Sequence, residues 1–171
     1  MARAAVENAC WDMTARINNI TLHELLGGTR KDIPCGVSIG IQDTPEQLLE
    51  KIGIEIEAGY RRIKIKIKPG WDYDILKLVR QTFPNITLSV DANSAYTLAD
   101  INMLKSLDEF NLLMIEQPLG HDDIVDHSHL QKQINTDICL DEPIISLDKT
   151  RKAIEMESGR IINIKLGRVS G

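Results

Sequence analysis

Long apolar runs are missing from this 171-residue sequence. None approaches the roughly 20 residues that span a bilayer, and the N-terminus carries no signal-peptide pattern, so the cytoplasm is the expected compartment. Cysteine is scarce: Cys10, Cys35 and Cys139 are odd in number, scattered and in no CxxC spacing. That excludes a disulfide framework or a zinc site and predicts buried thiols in a reducing compartment. Positive charge is not in excess either. Lysine and arginine total 20 against 25 acids, a net charge of -5, which argues against nucleic acid or an anionic membrane as partner. No glycine-rich phosphate loop follows any apolar run, since Lys68-Pro69-Gly70-Trp71 is neither GxGxxG nor a Walker sequence. No linker or low-complexity segment interrupts the chain. With 43% hydrophobic residues it is one domain, or part of a larger one, with enough apolar material for a core.

What is present is organised around Arg62-Ile63-Lys64-Ile65-Lys66-Ile67-Lys68. Strict alternation of isoleucine with lysine is a period of two, hence a strand with unlike faces. Taken alone it reads as an ordinary half-buried strand with its lysines in water. Counting on from Lys66, however, a polar residue stands at the end of each later apolar run: Asp91, Glu116, Asp141 and Lys165, at steps of 25, 25, 25 and 24 residues. That step is about the length of one strand-plus-helix unit, so parallel neighbours would bring these five residues to one rim.

Residues 2–17 carry Ala5, Ala9, Trp11, Met13 and Ile17 at helical spacing, and Leu22 to Leu26 form a second turn stopped by Gly27-Gly28. Both read as packing elements, and a chain starting one residue before such a buried helix reads as cut. From Asp32 onward, strands and helices alternate. The first strand covers Ile33 to Ile41, and a helix opens at Thr44-Pro45-Glu46 and runs to about Ala58. The Lys/Ile strand and a helix from about Asp72 to Phe83 come next. The Asp91 strand, a helix from Leu98 to Leu107, the Glu116 strand and a helix from Asp122 to Ile134 follow. The Asp141 strand, a helix from Ser146 to Glu157 and the Lys165 strand complete the series. Six strands alternating with five helices imply a parallel sheet.

Parity favours a barrel over an open doubly wound sheet. Lys64 with Lys66, Ser89 with Asp91 and Asn93, Cys139 with Asp141, and Asn163 with Lys165 share one strand face. Ile63, Ile65, Val90, Ile115, Leu140, Ile162 and Ile164 take the other. An open sheet covered on both sides would be apolar on both faces, whereas a barrel aims one set at its axis. The fold class is therefore α/β, an incomplete (β/α)8 barrel at residues 32–171.

Three carboxylates on adjacent strands repel one another unless a cation sits among them, and hard oxygen donors suit Mg²⁺, with Mn²⁺ as an alternative. Each acid alone could equally cap the next helix. Three in register, flanked by lysines in the same register, point to a site. Lysines on either side of a metal could reach opposite faces of a small carboxylate substrate and remove a proton α to its carboxylate.

These residues resemble the enolase superfamily, in its muconate-lactonising-enzyme-like branch, with the closer likeness to the o-succinylbenzoate synthase and N-acylamino acid racemase group. The likeness rests on Lys64-x-Lys66, Asp91-x-Asn93, Glu116-Gln117-Pro118, Asp141-Glu142 and Asn163-x-Lys165, and extends over nearly the whole chain. It implies that Asp91, Glu116 and Asp141 ligate Mg²⁺ and that Lys66 is the general base. By the same likeness Lys64 polarises the substrate carboxylate, and Lys165 acts from the opposite face as a second acid/base or an enolate stabiliser. A lysine base with Mg²⁺ stabilising an ene-diolate is general to that superfamily. Asn93, Asn163 and Glu142 would orient the ligands or the substrate. Pro143 after Glu142, and Lys68, depart from the pattern. The resemblance also places residues 1–31 as the last helices of a capping domain and a linker, and the full-length form as a homo-oligomer.

Three functions follow as expectations. One is Mg²⁺-dependent proton abstraction, leading to o-succinylbenzoate in menaquinone synthesis or to racemisation of N-acylamino acids. A second is Schiff-base chemistry at Lys66 or Lys165. The third is a truncated, non-catalytic chain. His121, His127 and His129 read as part of a polar loop leading into a helix, Trp71 as packing at a turn, and Tyr96 stays unassigned.

Overall fold

The computed structural model describes residues 2–171. Two helices come first, α1 (Ala2–Ile17) and α2 (Leu22–Leu25). Strands and helices then alternate: β1 (Gly36–Ile39), α3 (Pro45–Glu57), β2 (Arg62–Lys66), α4 (Tyr73–Thr82), β3 (Thr87–Asp91), α5 (Ile101–Ser106), β4 (Ile115–Glu116), α6 (Val125–Gln131), β5 (Ile138–Leu140), α7 (Leu147–Glu155) and β6 (Ile161–Ile162). A last short helix, α8 (Leu166–Val169), follows β6, and 3-10 turns flank α5 on both sides. The six strands form one sheet in chain order, and every adjacent pair is parallel. Each crossover thus advances by one strand in the same sense, which is the winding of a barrel. A doubly wound sheet reverses its order at a switch point. The expected partial barrel is the fold observed.

Local chemistry sets the starts of the helices. The Thr44 hydroxyl accepts from the Gln47 amide with Pro45 in the first turn, Asp72 accepts from the Tyr73 amide, and Ser146 accepts from the Lys149 amide. The main core lies between the strands and these helices. Ile63, Ile65, Val90 and Ile115 are fully buried on the outer face of the sheet, against Leu48 and Ile52 of α3 and Leu76 and Val79 of α4. This is the face that parity assigned to apolar residues. Ile164, expected there too, lies beyond the end of β6 and is exposed.

Four expectations need correction. The α1 face of Ala5, Ala9, Trp11, Met13 and Ile17 is not buried; the buried residues are Ala4 and Ala15. The helix packs on α8 and α2 rather than on the sheet, a narrow contact that small side chains suffice to fill. Cys10 and Cys35 are exposed and Cys139 alone is buried, because Cys10 shares that open helix and Cys35 precedes β1. The first strand is shorter than Ile33 to Ile41. Helix α6 starts at Val125 rather than Asp122, since the Asp123 side chain accepts from the amides of Val125 and Asp126 and so begins the helix after itself. No helix among the described residues is long and apolar enough to cross a membrane.

Candidate active site

From Lys66 to Glu116 the 25-residue step becomes a lateral step of one strand at constant height, and beyond Glu116 it also climbs. Lys66 pairs with Asp91 across β2 and β3, and Asp91 with Glu116 across β3 and β4. Glu116 then pairs with Cys139, which sets Asp141 two residues further up, just past the end of β5. All three acids are 4% exposed or less, at the carboxyl ends of the strands and on the face turned away from the helices. Below them a cavity of about 560 Å³ is lined by Ser38, Lys64, Ser89, Glu116, Cys139 and Asn163. Burial pushes the Cys139 thiol up to about 12, so it stays protonated there.

Basic side chains from the flanking strands answer each acid. The Lys64 ammonium donates to Glu116 Oε2 at 2.5 Å and lies 3.7 Å from Asp91 Oδ2. Lys66 donates to the same Asp91 oxygen at 2.6 Å and to the Asn93 side-chain oxygen. On the far side Lys165 donates to Asp141 Oδ2 at 2.6 Å, and Asn163 donates to Glu116 Oε1 at 2.9 Å. Asn93 takes a positive φ of 43°, which turns its backbone amide onto Asp91 Oδ1 at 3.0 Å. Glu142 is half-buried, with one carboxylate oxygen sealed from solvent and without a partner and the other 3.8 Å from Arg168.

The charges are set by opposing effects. Burial raises the Asp141 carboxyl, but hydrogen bonds from Arg168 and Lys165 outweigh it and hold the group below the usual carboxylate range. Burial likewise lowers Lys64, but the bond to Glu116 and its charge prevail and raise it. The rim is therefore an array of buried carboxylates facing ammonium and guanidinium groups. Among the described residues no three acid, histidine or cysteine side chains converge on a single point. By donor type the three acids suit a hard divalent cation: they supply oxygen only, are buried, and end adjacent strands. The basic groups that neutralise them here would share that role with the cation.

Lys64, Lys66, Asp91, Asn93, Glu116, Asp141, Glu142, Asn163 and Lys165 all reach this rim, whereas the histidines, Trp71 and Tyr96 do not. His121 and His129 are exposed on the far loop and α6. His127 is wholly buried rather than part of a solvated loop: its Nδ1 donates to the Asp123 carbonyl at 2.7 Å and its Nε2 accepts from the Leu119 amide at 3.2 Å. Trp71 packs half-buried against the core, and the Tyr96 hydroxyl donates to Asp72 at 3.1 Å, behind the site. Two further residues, to which the sequence assigns no role, are placed at the site. Arg168 on α8 grips Asp141 with both terminal nitrogens, at 2.5 and 3.1 Å, and Gln117 is buried among the ligand-bearing strand ends. Arg168 has no place in the 25-residue series, and only its position one turn past Lys165 could have suggested it.

Comparison with known proteins identifies the family. A family model described as enolase C-terminal domain-like matches residues 47–171. Over the full 171 residues the chain is 57% identical to the o-succinylbenzoate synthase of Geobacillus kaustophilus and 50% identical to the N-succinylamino acid racemase of Thermus thermophilus, covering 46% of each. The crystal structure of an enolase superfamily member from Listeria innocua superposes with a TM-score of 0.95 at 47% identity, over 100% of this chain and 46% of that one. The chain thus spans about half the length of the curated relatives it matches.

Proposed function

The chain belongs to the enolase C-terminal domain-like family, and we propose that it supplies the catalytic rim of an enzyme that removes a proton α to a carboxylate. The observation that carries this reading is the order of side chains across the sheet. Lysines on β2 and just beyond β6 bracket three buried carboxylates borne by the strands between them. A divalent cation held by Asp91, Glu116 and Asp141, Mg²⁺ or Mn²⁺, would supply Lewis acidity toward the oxygens of the bound carboxylate.

The chain's own groups do the rest. Lys66, released from its proton, takes the α-proton from one face of the substrate, and the bond electrons move into the carboxylate as an enolate. Lys64 offers its ammonium to the developing negative charge. It is held in place by Glu116, and the same pair keeps it charged. Lys165, on the opposite side of the acids, either stabilises that charge or returns a proton to the other face. Asn93 and Asn163 hold Asp91 and Glu116 in orientation. If a β-hydroxyl then takes that proton back from the Lys66 ammonium and leaves as water, the outcome is dehydration, and o-succinylbenzoate synthesis is the reading favoured by the relative at 57% identity. Return of the proton to the other face is racemisation of an N-succinylamino acid, favoured by the relative at 50% identity. Both outcomes use the same residues.

Proton exchange in D₂O tests the shared step. In the protein carrying this stretch, supplied with Mg²⁺ and an N-succinylamino acid, the α-proton is expected to exchange, and Lys66→Ala to slow exchange from one enantiomer by roughly 100-fold or more. A Lys165→Ala loss confined to the other enantiomer marks a two-base racemase. Dehydration that survives only with Lys66 intact marks the synthase. Exchange that is indifferent to Lys66 would overturn the assignment of the base.

A further inference from the structure

Gln117 is the residue on which the three acidic strand ends converge. It is fully buried and takes a positive φ of 40°, a backbone shape that side chains larger than glycine adopt under constraint. The ladder explains the constraint. The Gln117 amide donates to the Cys139 carbonyl at 2.9 Å, so the next rung of a parallel pair would run from the Asp141 amide to the Gln117 carbonyl. The positive φ instead turns that carbonyl toward β3, where it accepts from the Ser94 amide at 2.8 Å. The side chain takes the vacated rung: Oε1 accepts from the amides of Asp141 at 3.0 Å and Glu142 at 3.3 Å. Its other end is equally engaged, since Nε2 donates to the carbonyls of Leu119 at 3.3 Å and Gly120 at 3.1 Å. Both acceptor sites and both donors of the amide are used, and no alternative orientation would satisfy them.

We propose that Gln117 is a positioning residue for the divalent cation. Its backbone ties Glu116 to the turn after Asp91, and its side chain ties Glu116 to the backbone of Asp141, so one residue sets the spacing of all three carboxylates. This rests on the metal reading above. An apolar residue in its place would leave the buried Asp141 amide without a partner and free β5 to shift relative to β4. The carboxylates themselves would be untouched, so the loss would fall on their mutual placement.

The test is titration with Mn²⁺ of the wild-type chain beside Gln117→Met, which conserves volume, and Gln117→Asn, which keeps the amide but shortens its reach. Affinity is scaled to the folded fraction from thermal unfolding. The expected result is binding by wild type and a dissociation constant weakened roughly 10-fold or more in both folded variants. Equal affinity within twofold, in folded variants, overturns the inference and leaves the proposed function standing. Absence of Mn²⁺ binding by the wild type overturns both. Should neither variant fold, amide exchange in the wild type decides: protection of the Asp141 amide comparable to that of Cys139 inside β5 supports the proposal, and exchange at the rate of an exposed loop overturns it.

Discussion

Glu116 has only 1% of its surface in water, yet both its oxygens are occupied, one by Lys64 and one by Asn163. Its neighbours on the rim follow the same rule, each buried carboxylate meeting a charged donor. Such residues were legible from the sequence because their spacing repeats: a 25-residue step needs only a strand-plus-helix period to become a row. Gln117, Arg168 and His127 lie outside that series. Their roles come from a positive φ, a short helix folded back, and a buried pocket, none of which leaves a periodic trace. His127 makes a prediction at this scale. Burial lowers its pKa against the opposing pull of the Asp123 carbonyl and the Asp123 and Asp126 charges. The folded state therefore binds fewer protons than the unfolded one below the ordinary value of 6.5, and the contribution to stability is present above that value and lost as pH falls below it. Between about pH 7.5 and about 5.5 the unfolding midpoint is expected to drop, and His127→Gln is expected to flatten that slope. An equal slope in the variant would place the titration elsewhere.

Whole elements tell a similar story of pattern and its limits. Strand identity and the inward and outward faces followed from alternation, because a two-residue period has only one reading. Helix limits followed where a cap fixed them, as at Thr44 and Asp72, and shifted where Asp123 supplied a second start signal. The face of α1 differs from expectation because helical spacing says which side is apolar but not whether a partner covers it. Two substitutions test the packing described. Leu76 on α4 is fully buried between helix and sheet, and Leu76→Ala is expected to cost about 2–5 kcal/mol in denaturant unfolding. At Gly159, which precedes β6, a β-carbon would stand 2.7 Å from the Ile138 carbonyl oxygen. Gly159→Ala should therefore cost about 1–3 kcal/mol by forcing β6 away from β5. No measurable change in either would mean that the layers are packed less tightly than the distances show.

At the scale of the molecule, the sheet order shows six successive units of a barrel with an unpaired outer side on β1 and on β6 among the described residues. Val6, Met13 and Ile17 of α1 lie open to solvent. Unpaired edges and exposed apolar side chains favour association, and sedimentation of this chain is expected to show mass rising with concentration; a monomer at all concentrations would contradict that. None of this affects the rim, whose three acids and flanking lysines lie on β2, β3 and β4 or just past the ends of β5 and β6. The metal site is checked by thermal unfolding of this chain with Mg²⁺ titrated, wild type beside Asp91→Asn. A cation bound by the three carboxylates stabilises the folded state in proportion to the logarithm of its concentration, by about 2.7 kcal/mol at a hundred times its dissociation constant. The expected result is a single cooperative transition that climbs with Mg²⁺ in the wild type and stays nearly flat in Asp91→Asn. A wild-type transition indifferent to Mg²⁺, or one that climbs equally in both proteins, would contradict it.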